Sequence, residues 1–240
     1  MTTVVVTLGR GSLAGLAEEL RPAGVRVLEQ PLIRFGEPPD WGPVDAAIGR
    51  LAAYDAVVFT SPRAARSFAL RLLARGITPY IRQAWASGEA TRAALGPAWP
   101  GRVRIPDVAT GEGAARDLAA AMLAAGLAGP VLFPTGDVHR EELPRVLRAA
   151  GIMVDEVVCY HAFLAADAEA LAAARAGEVL VVGSPRVMEL LGRAVPADRP
   201  LLVVIGPTTA AAAVKVGWMA DAVAEEVSAS AVARAVDDLL

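Results

Sequence analysis

Two stretches of the chain share one local pattern. Ala56–Ala65 reads AVVFTSPRAA, and Val179–Met188 reads VLVVGSPRVM. Each begins with a short apolar run rich in β-branched residues, which is typical of a buried strand. Ser-Pro-Arg follows, and serine before proline fits the N-cap and first turn of a helix. Each stretch therefore predicts a strand that leads directly into a helix.

The repetition extends well beyond these two stretches. Further pairs of segments match in the same order: Val4–Val27 with Val131–Val154, Ala84–Leu95 with Val203–Val214 and, more weakly, Asp107–Ala119 with Ala222–Ala235. Each match alone is weak, but the conserved order makes coincidence a poor explanation. The chain is therefore expected to build two similar lobes.

Strand and helix patterns alternate along the whole chain. The predicted strands are Thr3–Thr7, Val25–Glu29, Ala56–Thr60, Gln83–Ala86, Val103–Ile105, Val131–Pro134, Val154–Tyr160, Val179–Val182, Leu201–Ile205 and a short strand near Ala222. Alanine- and leucine-rich helical patterns fill most of the gaps between them. This alternation is typical of parallel α/β units, so we predict an α/β fold with a parallel sheet in each lobe.

The connection between the lobes has two solutions at this stage. A cut near Ala125 would place one lobe in each half of the chain. In an exchanged arrangement, the chain leaves the first lobe, builds the second and returns. The segments Gln30–Asp40 and Cys159–Ala168 are extended in pattern and occupy equivalent positions of the repeat, so they are the candidate crossings. The repeat by itself leaves both solutions open.

Composition limits the classes of function. The chain has 240 residues, of which 55% are hydrophobic and 20% charged, as expected of a globular protein. The net charge of -3 argues against bulk attraction to nucleic acid or to anionic lipid. The N-terminus lacks a signal-peptide pattern, and no apolar run approaches the ~18 residues of a membrane span. We therefore expect a cytoplasmic protein that contacts neither membrane nor nucleic acid.

Known cofactor and nucleophile motifs are missing. One cysteine, Cys159, and two scattered histidines, His139 and His161, make a zinc site improbable. The segment Gly9–Gly15 (GRGSLAG) does not fit the dinucleotide-binding fingerprint, and the chain has neither a Walker A sequence nor a GxSxG elbow. We expect no metal and no cofactor.

The repeated connections from the end of a strand to the start of a helix, called corners below, predict a site for an acidic ligand. In open parallel sheets, ligands bind beyond the carboxyl ends of the strands, where helix N-terminal amides favour anions and arginines bind carboxylates. Helix capping alone, or a solvated charged turn, would also explain each corner, and the two roles are compatible. The predicted substrate-binding residues are Arg10, Ser61, Pro62, Arg63, Ser87, Gly88, Thr91, Thr110, Gly111, Gly136, Asp137, Arg140, Ser184, Pro185, Arg186, Gly206, Thr208 and Thr209.

Three segments together resemble the uroporphyrinogen-III synthase family. They are VVFTSPRAARSF (Val57–Phe68), LFPTGDVHREELPRVLRAAGIMVDEVVCY (Leu132–Tyr160) and VIGPTTAAAAVKVGW (Val204–Trp218). The family pattern is strand-T-S-(P/A)-x-(A/G), then G-x-x-(R/K)-x-x-L-x-x-x-L-x-x-x-G with a tyrosine after the following strand, then I-G-x-x-T-A-x-A. The chain departs from it at Gly183, where the family often has threonine or serine, and at Arg63 and Arg186, where smaller or amide residues are common.

The resemblance implies a fold and a set of cleft residues. It implies two flavodoxin-like lobes with exchanged connectivity, residues 1–33 with 164–240 and residues 37–158. A hinge of two linker strands, residues 34–36 and 159–163, would join them, with a cleft between the lobes. The cleft residues of the family that match this chain are Ser61, Thr110, Tyr160, Ser184, Thr208 and Thr209.

The resemblance also implies a reaction. A lyase of this family cyclises hydroxymethylbilane, a linear tetrapyrrole with eight carboxylates, to uroporphyrinogen III, with loss of water, inversion of ring D and no cofactor. Tyr160 would donate a hydrogen bond to the departing hydroxyl, although its position alone also fits an ordinary strand tyrosine. The rival hypotheses are a non-catalytic two-lobed binding protein for a small polycarboxylate and a regulatory relative. We expect a monomer, and a transient contact with the preceding deaminase is left open.

Overall fold

The computed structural model describes residues 1–9, 13, 15–21, 24–106, 114–165, 167–192 and 199–240. The predicted site residues Arg10, Thr110 and Gly111 lie outside the described residues. The chain divides into two compact units: unit 1 comprises Met1–Phe35 and Phe163–Leu240, and unit 2 comprises Gly36–Ala162.

Strands and helices alternate along the described chain. The strands are β1 Thr3–Val6, β2 Arg26–Glu29, β3 Ile33–Gly36, β4 Ala56–Phe59, β5 Gln83–Ala86, β6 Val131–Gly136, β7 Val154–Leu164, β8 Val179–Val182, β9 Leu201–Val204 and β10 Ala222–Val223. The helices are α1 Leu16–Leu20, α2 Gly42–Gly49, α3 Pro62–Ala74, α4 Glu89–Ala93, α5 Ala114–Ala124, α6 Glu142–Ala149, α7 Ala168–Arg175, α8 Pro185–Gly192, α9 Pro207–Lys215 and α10 Ala229–Asp237.

The strands form two five-stranded sheets with corresponding orders. One sheet runs β10-β9-β8-β1-β2 and the other β3-β7-β6-β4-β5. Pairing is parallel between β1 and both β2 and β8, and between β6 and both β7 and β4. The sequence repeat aligns β1, β2, β8 and β9 with β6, β7, β4 and β5, so the aligned strands occupy equivalent places. The first sheet has the flavodoxin-like order 2-1-3-4-5, and the predicted α/β class is confirmed.

The chain order of the first sheet decides how the repeat is connected. Its strands β1 and β2 come from the N-terminal part of the chain, and β8, β9 and β10 come from the C-terminal part. A cut near Ala125 is therefore wrong, because it would separate β1 from its neighbour β8. The crossing segments contain β3 and the end of β7, which are neighbours in the second sheet.

Besides β7, which is longer than predicted, two strand predictions differ from the structure. The predicted strand Val103–Ile105 is reduced to one bridge between Arg104 and Trp85. Arg104 donates to Ala84 O at 2.8 Å and accepts from Ala86 N at 2.9 Å, but Pro106 has no N–H with which to continue the ladder. Conversely, β3 was predicted only as an extended crossing segment. In the structure it lies beside β7 at the edge of the second sheet.

Each sheet is covered by helices on both faces. In β1, Val5 packs against Met188 and Leu191 of α8, whereas Val4 belongs to the cluster around Leu20 and Val232 on the opposite face. The second sheet has the same alternation, with Val57 and Phe59 on one face and Ala56 and Val58 on the other. Burial on both faces explains why these strands read as continuous apolar runs.

A carboxylate ties the amino edge of each sheet. Asp55, just before β4, accepts hydrogen bonds from Ala128 N at 2.9 Å and Gly129 N at 3.1 Å. Glu178, just before β8, accepts one from Thr3 N at 2.7 Å. The Ala128 amide, helped by Gly129 and Arg82, holds the pKa of Asp55 below its ordinary value. The Thr3 amide lowers the pKa of Glu178 in the same way.

Within the described parts of the chain, no helix combines the length and the apolar character that a membrane crossing requires.

Candidate functional site

The predicted corners of unit 2 follow strands that are neighbours in one parallel sheet. Ser61 follows β4, Ser87 follows β5, and Asp137 follows β6. Because β6, β4 and β5 are parallel and adjacent, these corners lie at the same edge of the sheet. This is the edge at which doubly wound sheets bind ligands.

The β4 corner forms a capped helix start. Ser61 has extended φ and ψ angles of -137° and 129°, and its Oγ accepts a hydrogen bond from Ala64 N at 3.4 Å. Pro62 begins α3, as the sequence predicted. Arg63 is half-buried, and its guanidinium carbon lies 5.8 Å from the centre of the Tyr160 ring. Burial lowers the pKa of the Arg63 guanidinium, which nevertheless stays charged because arginine starts so high.

Tyr160 lies directly over the end of β6. Its partner in the parallel register is Gly136, and a Cβ atom added to Gly136 would lie 2.4 Å from Tyr160 Cζ. The sequence predicts that the strand ends at Tyr160. In the structure, β7 continues to Leu164, so Tyr160 lies inside the strand. The ring is half-buried, with Arg63 on a neighbouring corner.

Asp137 is bound to the strand that carries Tyr160. Its backbone N–H donates to Tyr160 O at 3.1 Å, and its Oδ1 accepts from Ala162 N at 2.9 Å. His161 Nδ1 lies 3.5 Å from Asp137 Oδ2. Sequence reasoning missed this histidine. The position of His161 next to Tyr160 in the sequence could have indicated a role in the site. Its contact with Asp137, however, depends on the register of β6 and β7.

The β5 corner is more closed than the sequence suggested. Ser87 N donates to Phe59 O at 2.9 Å, which joins this corner to the β4 corner. Ser87 Oγ and Thr91 Oγ1 are 3.3 Å apart, and Thr91 is buried. Gly88 precedes the short helix α4. Ser87 is half-buried as a residue, whereas Thr91 is almost fully buried.

Unit 1 has two corners of the same kind at neighbouring strands. Ser184 follows β8, and its carbonyl accepts from Met188 N at 3.0 Å in the first turn of α8. Gly206 follows β9, and its carbonyl accepts from Thr209 N and Ala210 N, both at 3.1 Å. The remaining predicted residues of these corners differ in exposure. Pro185 and Arg186 are half-buried, Thr208 is exposed, and Thr209 is buried.

A group of metal-type side chains lies beside the β6 corner. Ligand atoms of His139, Glu141 and Glu156 lie within 4.8 Å of one another. Both imidazole nitrogens of His139 already face oxygen atoms: Nδ1 is 3.2 Å from Gly136 O, and Nε2 is 2.6 Å from Glu156 Oε2. Arg148 also pairs with Glu156. Arg148 and the imidazole of His139 therefore already occupy the Glu156 oxygen atoms that a cation would need, and the cluster is better explained as a network of hydrogen bonds and ion pairs.

A concavity of about 760 Å³ lies at the opposite, amino edge of the second sheet. Ile152 and Pro130 contribute apolar surface to it. Its charged groups are paired with each other: Arg50 binds Asp155 at 2.6 Å and Tyr54 Oη at 3.0 Å, and Tyr54 also donates to Asp155. Burial, followed by the bond to Asp155, raises the pKa of Tyr54. None of the predicted site residues that the structure describes lines this concavity.

Comparisons with known proteins agree on one family. A family model described as "Uroporphyrinogen-III synthase HemD" matches residues 14–234. A curated relative, the uroporphyrinogen-III synthase of Synechococcus elongatus, is 27% identical over an alignment of 170 residues that covers 66% of this chain and 60% of the relative. The match thus spans less than two thirds of the length of that relative.

Solved structures share the fold. A mutant uroporphyrinogen III synthase from Thermus thermophilus is similar with a TM-score of 0.61 and 16% identity, covering 99% of this chain and 98% of that one. A uroporphyrinogen-III synthetase from Helicobacter pylori has a TM-score of 0.61 and 19% identity, and the match covers 100% of both chains. The family model spans most of the sequence, including Tyr160 and both Ser-Pro-Arg corners. The chain therefore belongs to the uroporphyrinogen-III synthase family.

Proposed function

We propose that this protein is a lyase that cyclises hydroxymethylbilane to uroporphyrinogen III, with loss of water and inversion of ring D. The observation that carries the proposal is the family match over residues 14–234. The place of Tyr160 supports it, because the tyrosine of the family motif lies at the ligand-binding edge of a doubly wound sheet.

The substrate is recognised through its carboxylates. The net charge of -3 gives no general attraction for a polyanion, so binding depends on local groups. The first turns of α3, α8 and α9 present backbone N–H groups, which favour anions. Arg63 and Arg186 add charged donors that carboxylates accept in pairs of hydrogen bonds. The proposed ligand is therefore a flexible molecule with many carboxylates.

Tyr160 assists departure of the hydroxyl group. In the proposed first step, the Tyr160 hydroxyl donates a hydrogen bond to the hydroxymethyl oxygen of ring A while that carbon–oxygen bond breaks. The electron-rich pyrrole stabilises the resulting azafulvene cation, so a weak acid is sufficient. The Arg63 guanidinium lies 5.8 Å from the ring centre, where it can bind a substrate carboxylate beside Tyr160.

The remaining steps require control of geometry more than additional side chains. The substituted carbon of ring D attacks the cation and forms a spiro intermediate, which fragments and closes again with ring D inverted. Ring D then loses one proton from the carbon at which the macrocycle closes. This proton and the departed hydroxide together make one water molecule, so Tyr160 ends the reaction with its own proton in place. Holding the reacting carbons together is worth up to ~7–11 kcal/mol in ideal cases.

The porphyrin isomer provides the decisive experiment. Freshly prepared hydroxymethylbilane is incubated with the protein, and the products are oxidised and separated. We expect isomer III with the protein and isomer I in its absence. Formation of isomer I alone, at the uncatalysed rate, would instead support a non-catalytic polycarboxylate-binding protein. A parallel assay after EDTA treatment tests the proposed independence from metal, and activity should be unchanged.

The proposal includes a monomer that acts in the cytoplasm. The buried Cys159 is compatible with a reducing compartment, since burial raises the pKa of its thiol to about 12 and keeps it unreactive. Light scattering at assay concentrations should give the mass of one chain. Titration of the purified preceding deaminase into the assay tests the proposed transient contact, which would shorten the delay before isomer III appears.

A further inference from the structure

We propose that Gly136 and Asp137 position the Tyr160 ring, and that they act on the reaction through Tyr160 and not by binding substrate. The chemical consequence rests on the proposed function, because it assumes that Tyr160 assists the departing hydroxyl. The positioning itself rests on the contacts of three residues within unit 2.

The first contact is steric. A Cβ atom added to Gly136 would lie 2.4 Å from Tyr160 Cζ and 2.7 Å from both Cε2 and the hydroxyl oxygen. Side chains essentially never approach so closely, so any residue larger than glycine must displace the ring. The φ angle of Gly136 lies outside the left-handed region, so backbone conformation does not require glycine here. The space for the ring is what requires it.

The second contribution comes from the register of β6 and β7. Thr135 pairs with Val158, but Gly136 pairs with Tyr160, so the register shifts by one residue between these pairs. Cys159 is left without a partner in the ladder. Such irregularities re-aim side chains near active sites. Here the shift places Tyr160 opposite glycine, the one residue type that leaves room for its ring.

The third contribution is a clamp formed by Asp137. Its N–H donates to Tyr160 O at 3.1 Å, and its Oδ1 accepts from Ala162 N at 2.9 Å. Bonds on both sides of residue 161 hold the backbone of β7 at the point where β6 has ended. One main-chain bond and one side-chain bond therefore continue the link between β6 and β7 and keep Tyr160 in place.

The same contacts separate positioning from substrate binding. The Tyr160 ring covers the position where a substrate would approach Gly136. The Asp137 carboxylate already accepts a backbone N–H, and its negative charge would repel the carboxylates of the proposed substrate. Both residues were predicted from sequence as substrate contacts, and the geometry favours an indirect role.

The first test is Gly136→Ala, measured by kcat and KM for isomer III formation. We expect kcat to fall by about 10–100-fold, because displacement of a catalytic group by 1 Å has that scale of effect. KM should change by less than about threefold, since substrate carboxylates are bound elsewhere. Gly49→Ala is the matched control. Gly49 is exposed, has no atom within 4 Å of an added Cβ, and should leave both constants unchanged.

A double variant tests whether the two residues act together. If Gly136 acts only through the ring, Gly136→Ala/Tyr160→Phe should have a kcat within about twofold of Tyr160→Phe alone. If the loss of kcat in the double variant instead equals the product of the two single losses, Gly136 contributes independently of the ring, and the proposal is overturned.

An activity-independent measurement uses 3-fluorotyrosine and 19F NMR. The chain has three tyrosines, so three resonances are expected, and Tyr160→Phe assigns one of them. Gly136→Ala should shift the Tyr160 resonance and leave that of Tyr80, which is 84% exposed, unchanged. An unshifted Tyr160 resonance in folded Gly136→Ala would overturn positioning. This measurement stays valid even if the protein forms no isomer III, so the two proposals can fail separately.

Asp137 is tested by a conservative and a truncating variant. Asp137→Asn retains an oxygen that accepts from Ala162 N, so kcat and the Tyr160 resonance should stay close to wild type. Asp137→Ala removes the acceptor and should shift the resonance and lower kcat by about tenfold, the scale of a lost hydrogen bond to a charged group. Equal loss in both variants would show that the charge matters, and would contradict the clamp.

Discussion

The two Ser-Pro-Arg corners begin alike and end in different surroundings. Both follow buried strands, β4 and β8, and both have proline at the start of a helix. The repeat aligns β2 of unit 1 with β7 of unit 2, and these two strands differ in length. β2 has four residues, whereas β7 has eleven and carries Tyr160 past the end of β6. The repeat thus provides two similar candidate anion-binding corners, and the one long strand gives unit 2 a candidate catalytic group.

The largest expected effect comes from the residue that distinguishes the units. Tyr160→Phe should lower kcat by roughly 10²-fold, which is the low end for assistance by a general acid. Tyr80→Phe is the control, because Tyr80 is 84% exposed and is not one of the predicted site residues. Steady-state formation of isomer III measures both. Wild-type turnover in Tyr160→Phe would remove the proposed role and with it the main difference between the units.

The paired arginines sharpen the comparison. Arg63→Ala and Arg186→Ala should each raise KM by about tenfold, because each loses a charge-assisted hydrogen bond to a substrate carboxylate. Only Arg63→Ala should also lower kcat, by about fivefold, since Arg63 lies 5.8 Å from the Tyr160 ring centre. Arg63→Lys should restore part of kcat. Equal kcat values in the two alanine variants would contradict the asymmetry.

The carboxylates at the amino edges provide a comparison of stability. Asp55→Ala should lower the free energy of unfolding by about 1–3 kcal/mol at pH 7, because two backbone N–H groups lose their acceptor. Glu178→Ala should cost less, since Glu178 is exposed and accepts from the single amide of Thr3. Chemical denaturation of both variants measures the difference.

The pH dependence of the Asp55 effect has a definite sign. The pKa of Asp55 is lower in the folded than in the unfolded protein, so its contribution is fully present above the unfolded value near ~3.9. It is lost as the pH falls further, through the folded pKa. The difference in the free energy of unfolding between wild type and Asp55→Ala should therefore stay constant from pH 7 to about 5 and become smaller below about 4. A gap that widens in acid would contradict this assignment.

The smallest effects are expected at the two serines. Ser61→Ala and Ser184→Ala should each change kcat/KM by less than about threefold, because the helix N-terminal amides stay in place. Ser61→Ala should also cost about 0.5 kcal/mol of stability, the low end for an N-cap, since its capping bond is a long 3.4 Å. Complete loss of activity in correctly folded Ser61→Ala would show that the hydroxyl itself matters.

The two parallel α/β lobes could be predicted, because burial on both faces of a parallel sheet leaves apolar runs that are visible in the sequence. The exchanged connectivity followed only from the family resemblance, since the repeat left both connections open. Edges were less predictable. β3 was hard to recognise because it carries Arg34 among apolar residues and follows a proline. The pattern around Val103 predicted a full strand, but Pro106 limits the pairing there to a single bridge. The corners could be found because serine, proline and glycine mark helix starts.

Relationships between distant residues could not be read in advance. That Gly136 accommodates Tyr160 depends on a one-residue shift in the register of β6 and β7, which neither strand reveals alone. The burial of Thr91 and Thr209 likewise follows from how their helices pack. The site therefore followed from local signals, whereas the roles within it depended on pairing.

The exchanged connectivity has a consequence for the order in which the protein forms during synthesis. Residues 36–162 form one continuous unit, so the ribosome completes all of its sequence before the last part of unit 1 emerges. β1, by contrast, pairs with β8 and must wait until residues 179–182 have been made. Domains generally fold as units while the chain grows. We therefore expect a nascent chain in which unit 2 is folded while the apolar strand β1 is still exposed, the stage at which a chaperone would bind it.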